Sequence, residues 1–297
     1  MIVPTHSGFQ KIIDEIKRPL ALLFVWDVIV TVAYYYLPFS APSLPLTLFG
    51  SAVALILGFR STSAYNRWWE GRGMWGLMIN ANRNVARWAA NFLPAGDSRS
   101  QPLRRAIVLR QIAYVNALRH QLRRLPITPE TLRGLPEGEI APASARANTA
   151  NAILDGTGAL VSQARTDGMI DTIQQAQIES VLIDIANAQG GMERLKNTPL
   201  PAQFRVFPMV FTHLFCILLP FGLVEALGPA TPLGSTVAGV MFLAVLAIGE
   251  DLVDPFSNTI HDLPLDAMCR TIEIDLLQGL GDEAPPPVLP TASGVLR

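Results

Sequence analysis

The stretch Leu48-Phe49-Gly50-Ser51-Ala52-Val53-Ala54-Leu55-Ile56-Leu57-Gly58-Phe59 carries no charge until Arg60. It closes a longer apolar block: from Pro19 to Phe59, 41 residues, the only charge is Asp27. A second block, Val206 to Ile248, holds 43 residues and only Glu225. A helix rises 1.5 Å per residue, so about 20 residues cross the hydrocarbon of a bilayer. Each block is about twice that length and must turn back once. Pro38, Pro42 and Pro45, with Ser40 and Ser43 between them, mark the turn in the first block. Gly228, Pro229, Pro232 and Gly234 mark it in the second. The reading is four spans, 19–37, 44–62, 206–226 and 233–253, arranged as two helical hairpins.

Outside the blocks the composition is ordinary. The whole 297-residue chain is 16% charged, but nearly all of that charge lies elsewhere. This excludes disorder and a plain soluble enzyme. A net charge of −1 gives no footprint for nucleic acid. Two cysteines, Cys216 and Cys269, cannot form a disulfide scaffold and read as reduced thiols. Basic residues orient the spans. Lys11, Lys17 and Arg18 precede the first, and the stretch 60–205 holds 18. The two hairpin loops hold none. Both termini and the central region are therefore expected on the cytoplasmic side. The first apolar run is too long for a signal peptide and has no small-residue cleavage site before Pro38.

The layout divides at 1–18 (cytosolic), 19–62 (first hairpin), 63–205 (cytosolic helical region), 206–256 (second hairpin) and 257–297 (cytosolic). Val108, Ile112, Val115, Leu118, Leu122 and Leu125 recur at helical spacing, with arginines interleaved. Ile173, Val181, Leu182, Ile185, Met192 and Leu195 trace a second stripe. The stretch 126–147 is proline-rich and reads as a loop with at most a short helix. Ala284–Pro290 reads as an extended tail. The fold class is all-α, part in the membrane and part below it.

No phosphate loop, dinucleotide fingerprint, HExxH or GxSxG motif is present. His6, His120, His213 and His261 lack partners at metal-ligand spacing, so no metal or cofactor is expected. His213 lies within a span: it either bonds a neighbouring helix or serves a pore or proton relay. Asp27, in mid-span, either pairs with another helix or faces a water-filled path. Glu225 lies close enough to a span end to reach interfacial water. Ser51, Leu55 and Phe59 stand at i, i+4 and i+8 and share one helix face. By spacing alone that face is ordinary packing or lipid contact. Several copies around an axis would instead give stacked rings that gate by excluding water.

The residues that follow resemble the bestrophin family. Gly58-Phe59-Arg60, then Tyr65-Asn66 and Arg67-Trp68-Trp69-Glu70, are similar to the end of that family's second membrane helix. Asn197-Thr198-Pro199-Leu200-Pro201 resembles the bacterial segment before the third span. Glu250-Asp251-Leu252-Val253-Asp254-Pro255-Phe256 resembles the segment ending the fourth. His261-Asp262-Leu263-Pro264-Leu265-Asp266 and Ile272-Glu273-Ile274-Asp275-Leu276 also look bacterial. The matches keep chain order from about residue 50 to 277.

The resemblance implies a homopentameric ion channel in a bacterial inner membrane, passive and not an enzyme. Its partners are its own copies, membrane lipid and small monovalent ions. Second helices line a neck, here Ser51, Leu55 and Phe59, with Ser51 departing from the bulky apolar type and widening the outer ring. A cytosolic exit constriction falls on Ile173, with Ile178 and Met169 as alternatives, and Ile173 equally suits a core. Calcium gating in eukaryotic members uses an acidic run after the Pro-Phe pair. Here Ser257–Asp262 offers one carboxylate, against the six to eight oxygens calcium takes. Glu250, Asp251 and Asp254 are expected to anchor the fourth span to Arg67 or a neighbouring chain, and Trp68 and Trp69 to sit at the interface or a buried joint. Bacterial likeness leans the selectivity toward cations such as sodium, with chloride as the alternative. Rivals from other classes are a secondary transporter, disfavoured by four spans without a repeat, and a scaffold or signalling protein without conductance.

Overall fold

The computed structural model describes residues 7–38, 44–291 and 294–296. Ser40, Pro42 and Ser43 of the first turn, and His6, lie outside the described residues. Among the described residues the chain is helical, with no strand and only isolated bridge positions, at Arg133, Leu135 and Val295. The α-helices described run in order: α1 Ser7–Tyr36, α2 Leu46–Asn91, α3 Ser100–Leu122, α4 Glu137–Ser144, α5 Thr149–Thr166, α6 Thr172–Asn197, α7 Ala202–Leu227, α8 Thr231–Asp251 and α9 Leu265–Leu280. They form two compact units. One holds residues up to Trp68 together with Pro199–Pro255; the other holds Trp69–Thr198 and Phe256 onward.

The apolar unit is built from α1, the first half of α2, α7 and α8. Leu46–Asn91 and the stretch Ala202–Asp251 are long and apolar enough to cross a membrane. α1 packs on α8 and α7, and α7 on α8. Two small cores hold it: Ile16, Leu23, Cys216 and Leu243 in one, Val53, Leu57, Phe215 and Leu219 in the other. The second turn comes where the sequence marks it, at a 3-10 turn Gly228–Ala230. Gly228 has φ +54, a conformation side chains avoid, and Thr231 Oγ1 donates to its carbonyl at 2.6 Å. Pro232 falls inside the first turn of α8, where its missing N–H costs no hydrogen bond, so α8 starts at Thr231 rather than 233.

α2 overruns the expected limit of the second span by nearly thirty residues. The onset of charge at Arg60 marks where the side chains change, not where the helix stops. No proline interrupts 46–91, and the glycines within it are tolerated.

The charge-rich unit packs α3 on α5 and α9, and α5 on α6. The α3 stripe is real: Val108, Ile112, Val115, Leu118 and Leu122 are all buried. Leu125 lies past the helix end and is exposed. Asn148 caps α5 by accepting from Asn151 N, and Asp171 and Gln174 cap α6 reciprocally. The 126–147 loop contains one short helix, α4. Buried polar bonds tie α3 to α6 and to α5: Tyr114 donates to Gln189 at 2.8 Å, Gln189 to Glu193 at 2.7 Å, and Gln111 to Thr157 Oγ1 at 3.3 Å. Burial, with the Glu193 charge beside it, pushes the Tyr114 hydroxyl well above its usual range. Cys269 and Cys216 are free and buried, and burial raises the Cys269 thiol to about 12.

Candidate functional site

The two faces of α2 differ in kind. Val53, Leu57, Arg60 and Ala64 recur at three- or four-residue steps and are buried. Leu55 and Phe59, on the other side, are 61% and 63% exposed. Ser51 is exposed on that same side. Its hydroxyl donates to the Thr47 carbonyl at 2.7 Å, so its one donor is already used within the helix. The exposed face carries no charge from Leu46 to Phe59. Among its members, Gly58 leaves the backbone bare beside Phe59.

Arg60 is the first charge after this run, and it does not join the exposed face. Its side chain is 2% exposed. It pairs with Glu250 of α8 and donates to the Leu246 carbonyl at 3.2 Å. Glu250 also pairs with Arg205, whose Nε lies 3.0 Å away. Glu250, expected to anchor to Arg67 or a neighbouring chain, meets Arg60 within the single chain, because Arg60 lies on the packed face of α2. Arg67 reaches the same end of α8 through Val253, whose carbonyl accepts from its Nε at 2.9 Å. Asp251 and Asp254 are half-buried, and Pro255 and Phe256 are buried. Trp68 is half-buried and stacks on Tyr65 with ring centroids 6.3 Å apart. Trp69 is 60% exposed. Sequence reasoning missed the buried role of Arg60. The signal was there: 53, 57, 60 and 64 hold the period of a packed face.

Three further candidates stand on α1 and α7. Asp27 is 1% exposed, with Ser235 beside its carboxyl, and so is buried within the helices rather than turned to a path. Thr31 Oγ1 donates to its backbone carbonyl at 2.7 Å. His213, among the described residues, bonds its own helix: Nδ1 lies 2.8 Å from the Met209 carbonyl and carries the proton there. Glu225 is exposed.

In the charge-rich unit, Ile173 stands in the first turn of α6 and is 71% exposed. It does not belong to a core. Ile178 and Met169 are 0% and 6% exposed, so neither side chain is free to line a path. Asp262 is 2% exposed, and its carboxylate accepts from Thr259 N at 2.8 Å and Thr259 Oγ1 at 2.7 Å. The one acidic group of the 257–262 segment thus holds its own loop.

A helical protein with apolar helices long enough to cross a membrane, one of which turns an uncharged face outward, has the marks of a membrane protein. Comparisons give the family. The family model described as Bacterial/Fungal Bestrophin protein matches residues 6–278. The voltage-dependent anion channel-forming protein YneE of Escherichia coli is 34% identical over 285 residues, 94% of this chain and 92% of that protein. A voltage-dependent anion channel-forming protein of Mesorhizobium japonicum is 34% identical over 83% of this chain and 77% of that one. The crystal structure of a bacterial bestrophin homolog from Klebsiella pneumoniae superposes with TM-score 0.86 at 35% identity, covering 90% of this chain and 99% of that one. The chain belongs to the bestrophin family of ion channels.

Proposed function

We propose that this chain is one subunit of a homopentameric, anion-conducting channel of a bacterial inner membrane, with passive flow along an axis lined by α2. The observation that carries the reading is the pair of faces on α2. Leu55 and Phe59 are bulky, uncharged and exposed in the single chain, while Arg60 beside them is withdrawn into an ion pair. An apolar face left open over two helical turns calls for further copies of itself or for lipid. Five copies would form a neck that resists ion entry by dehydration. Ser51 would form its wider outer ring, and Ile173 the exit ring on the cytoplasmic side. The four spans are α1, the first part of α2, α7 and α8. Residues 1–18, 63–205 and 257–297 face the cytoplasm, in keeping with the lysine and arginine count.

The names of the relatives weigh for anions over the monovalent cations that bacterial likeness suggested. With Arg60 neutralised by Glu250, the neck holds no fixed charge of either sign, so selectivity is set by dehydration and by what lies beyond the neck. The test is a planar bilayer recording under a potassium chloride gradient. The expected reversal potential lies near the chloride equilibrium potential. A reversal near that of potassium returns the reading to cations. Absence of current from a protein that is not pentameric by native mass would favour a scaffold role.

A further inference from the structure

A cavity of about 510 Å³ lies within the charge-rich unit, walled by one face of α3, the α3–α4 loop and one face of α9. Its size suits a small molecule, for which ~300–1,000 Å³ is usual. Four guanidinium groups line it, from Arg105, Arg119, Arg133 and Arg270, against the carboxylates of Glu130 and Glu273. Three of the four are engaged. Arg105 pairs with Asp282 at 2.7 Å, Arg119 with Asp266 at 2.9 Å, and Arg270 with Glu273 at 2.9 Å. His120 Nδ1 lies 2.9 Å from the Pro126 carbonyl and its Nε2 3.1 Å from an Arg119 Nη, so Nδ1 carries the proton and Nε2 accepts.

Arg133 differs from the other three. It is exposed and has no ion-pair or side-chain hydrogen-bond partner among the described residues. Its backbone is nonetheless fixed. Thr128 and Thr131 bond each other at 3.1 Å just before it. Gly134, just after it, holds φ +107 against the Leu109 carbonyl, where a Cβ would sit 3.1 Å away. Arg133 and Arg270 also line an adjoining cavity of about 360 Å³ that continues to Pro285 and Pro286 of the tail. A guanidinium without a partner among the described residues, carried on a held backbone where two cavities meet, is free to take an anion.

We propose that this cavity binds a small organic anion through a carboxylate or phosphate group, with Arg133 as the anchoring charge and Arg270 beside it. Among the described residues no aromatic side chain other than the His120 ring lines it, so it is not a platform for a nucleobase. Leu109, Ile112 and Leu277 give room for a short aliphatic body, and Glu130 accepts from hydroxyl or amino groups on the ligand. The site uses no residue of the α2 face and stands whether or not the channel reading does.

The test is titration calorimetry on the full-length, detergent-solubilised protein, with citrate and pyrophosphate as probes at constant ionic strength. At least one probe saturates. Arg133→Ala lowers its affinity about ten- to a hundredfold, the loss of a charge-assisted hydrogen bond. Arg133→Lys, which keeps the charge but not the fork, falls between. Arg146→Ala, at an exposed arginine outside the cavity, leaves binding unchanged. Saturation by citrate alone assigns the carboxylate, and by pyrophosphate alone the phosphate. Failure of both probes up to about 10 mM, or an Arg133→Ala protein that binds as well as wild type, overturns the proposal. Because Arg133 is exposed and unpaired, its variants keep the thermal midpoint of the wild type without probe.

Discussion

The two faces of α2 share a helix, a length and a nearly equal apolar content, yet they meet different fates. Val53 and Leu57 are sealed against Phe215 and Leu219 of α7. Leu55 and Phe59 are as hydrophobic and stay open. Hydrophobicity alone does not separate them; their neighbours in the fold do. One face is consumed by the chain's own packing, and the other stays open in the single chain. Charge follows the same division. Arg60 sits on the packed face, where Glu250 meets it.

The strongest way to break this comparison is to attack the packed face at its charge. Glu250→Ala leaves Arg60 buried with the Leu246 carbonyl as its remaining partner described here. Removing one member of a buried pair costs about 3–5 kcal/mol, and the half-exposed carboxylate places this case near 3. The expected outcome is a thermal midpoint several degrees lower in detergent. A midpoint equal to wild type would mean that Arg60 finds water, and that the face is not sealed. Next comes Leu57→Ala, at 2% exposure, expected to cost about 2–4 kcal/mol by cavity formation. Ile178→Ala in α6, fully buried, belongs to the same range, whereas Ile173→Ala stays within about 0.5 kcal/mol. If Ile173 proved as costly as Ile178, its place on an open surface would be wrong.

Much of this architecture is legible in the amino-acid sequence. The uneven distribution of charge isolates the apolar blocks, and Gly228-Pro229 places a turn because few other residues tolerate that backbone. The stripe of α3 fixes its buried side. Three features are not legible there. α2 continues past Arg60 because nothing local stops it, and a helix end is signalled only by breakers or caps. The Arg60–Glu250 pair joins residues 190 positions apart, and either could have met a different partner of similar chemistry. Ile173 fits its stripe by spacing, but the reciprocal cap by Asp171 and Gln174 starts α6 there, so the side chain projects from the first turn. Periodicity tells which residues share a face, not which face another element covers.

A smaller effect on stability, with a larger one on current, is expected on the open face. Leu55→Ala and Phe59→Ala remove side chains that are mostly exposed, so each shifts stability by about 0.5 kcal/mol or less. Each widens the proposed neck and raises single-channel conductance. Unchanged currents for both would remove the neck from α2 while leaving the packed face intact.

The finest distinction rests on Ser51. A serine at the proposed outer ring would act by polarity or by size. Its hydroxyl proton is given to Thr47 O within the same helix, which leaves the group with acceptor capacity but no donor for a passing anion. Polarity toward anions is thereby reduced, and size remains. Ser51→Ala, nearly the same volume without the hydroxyl, is then expected to leave conductance and stability as they are. Ser51→Leu is expected to add a third bulky side chain to the proposed neck and to lower conductance, while stability stays within about 0.5 kcal/mol. A loss of current in the alanine variant comparable to that in the leucine variant would show that the hydroxyl itself wets the entrance. In that case the open face of α2 is not uniformly apolar in function, and its contrast with the packed face begins at Leu55.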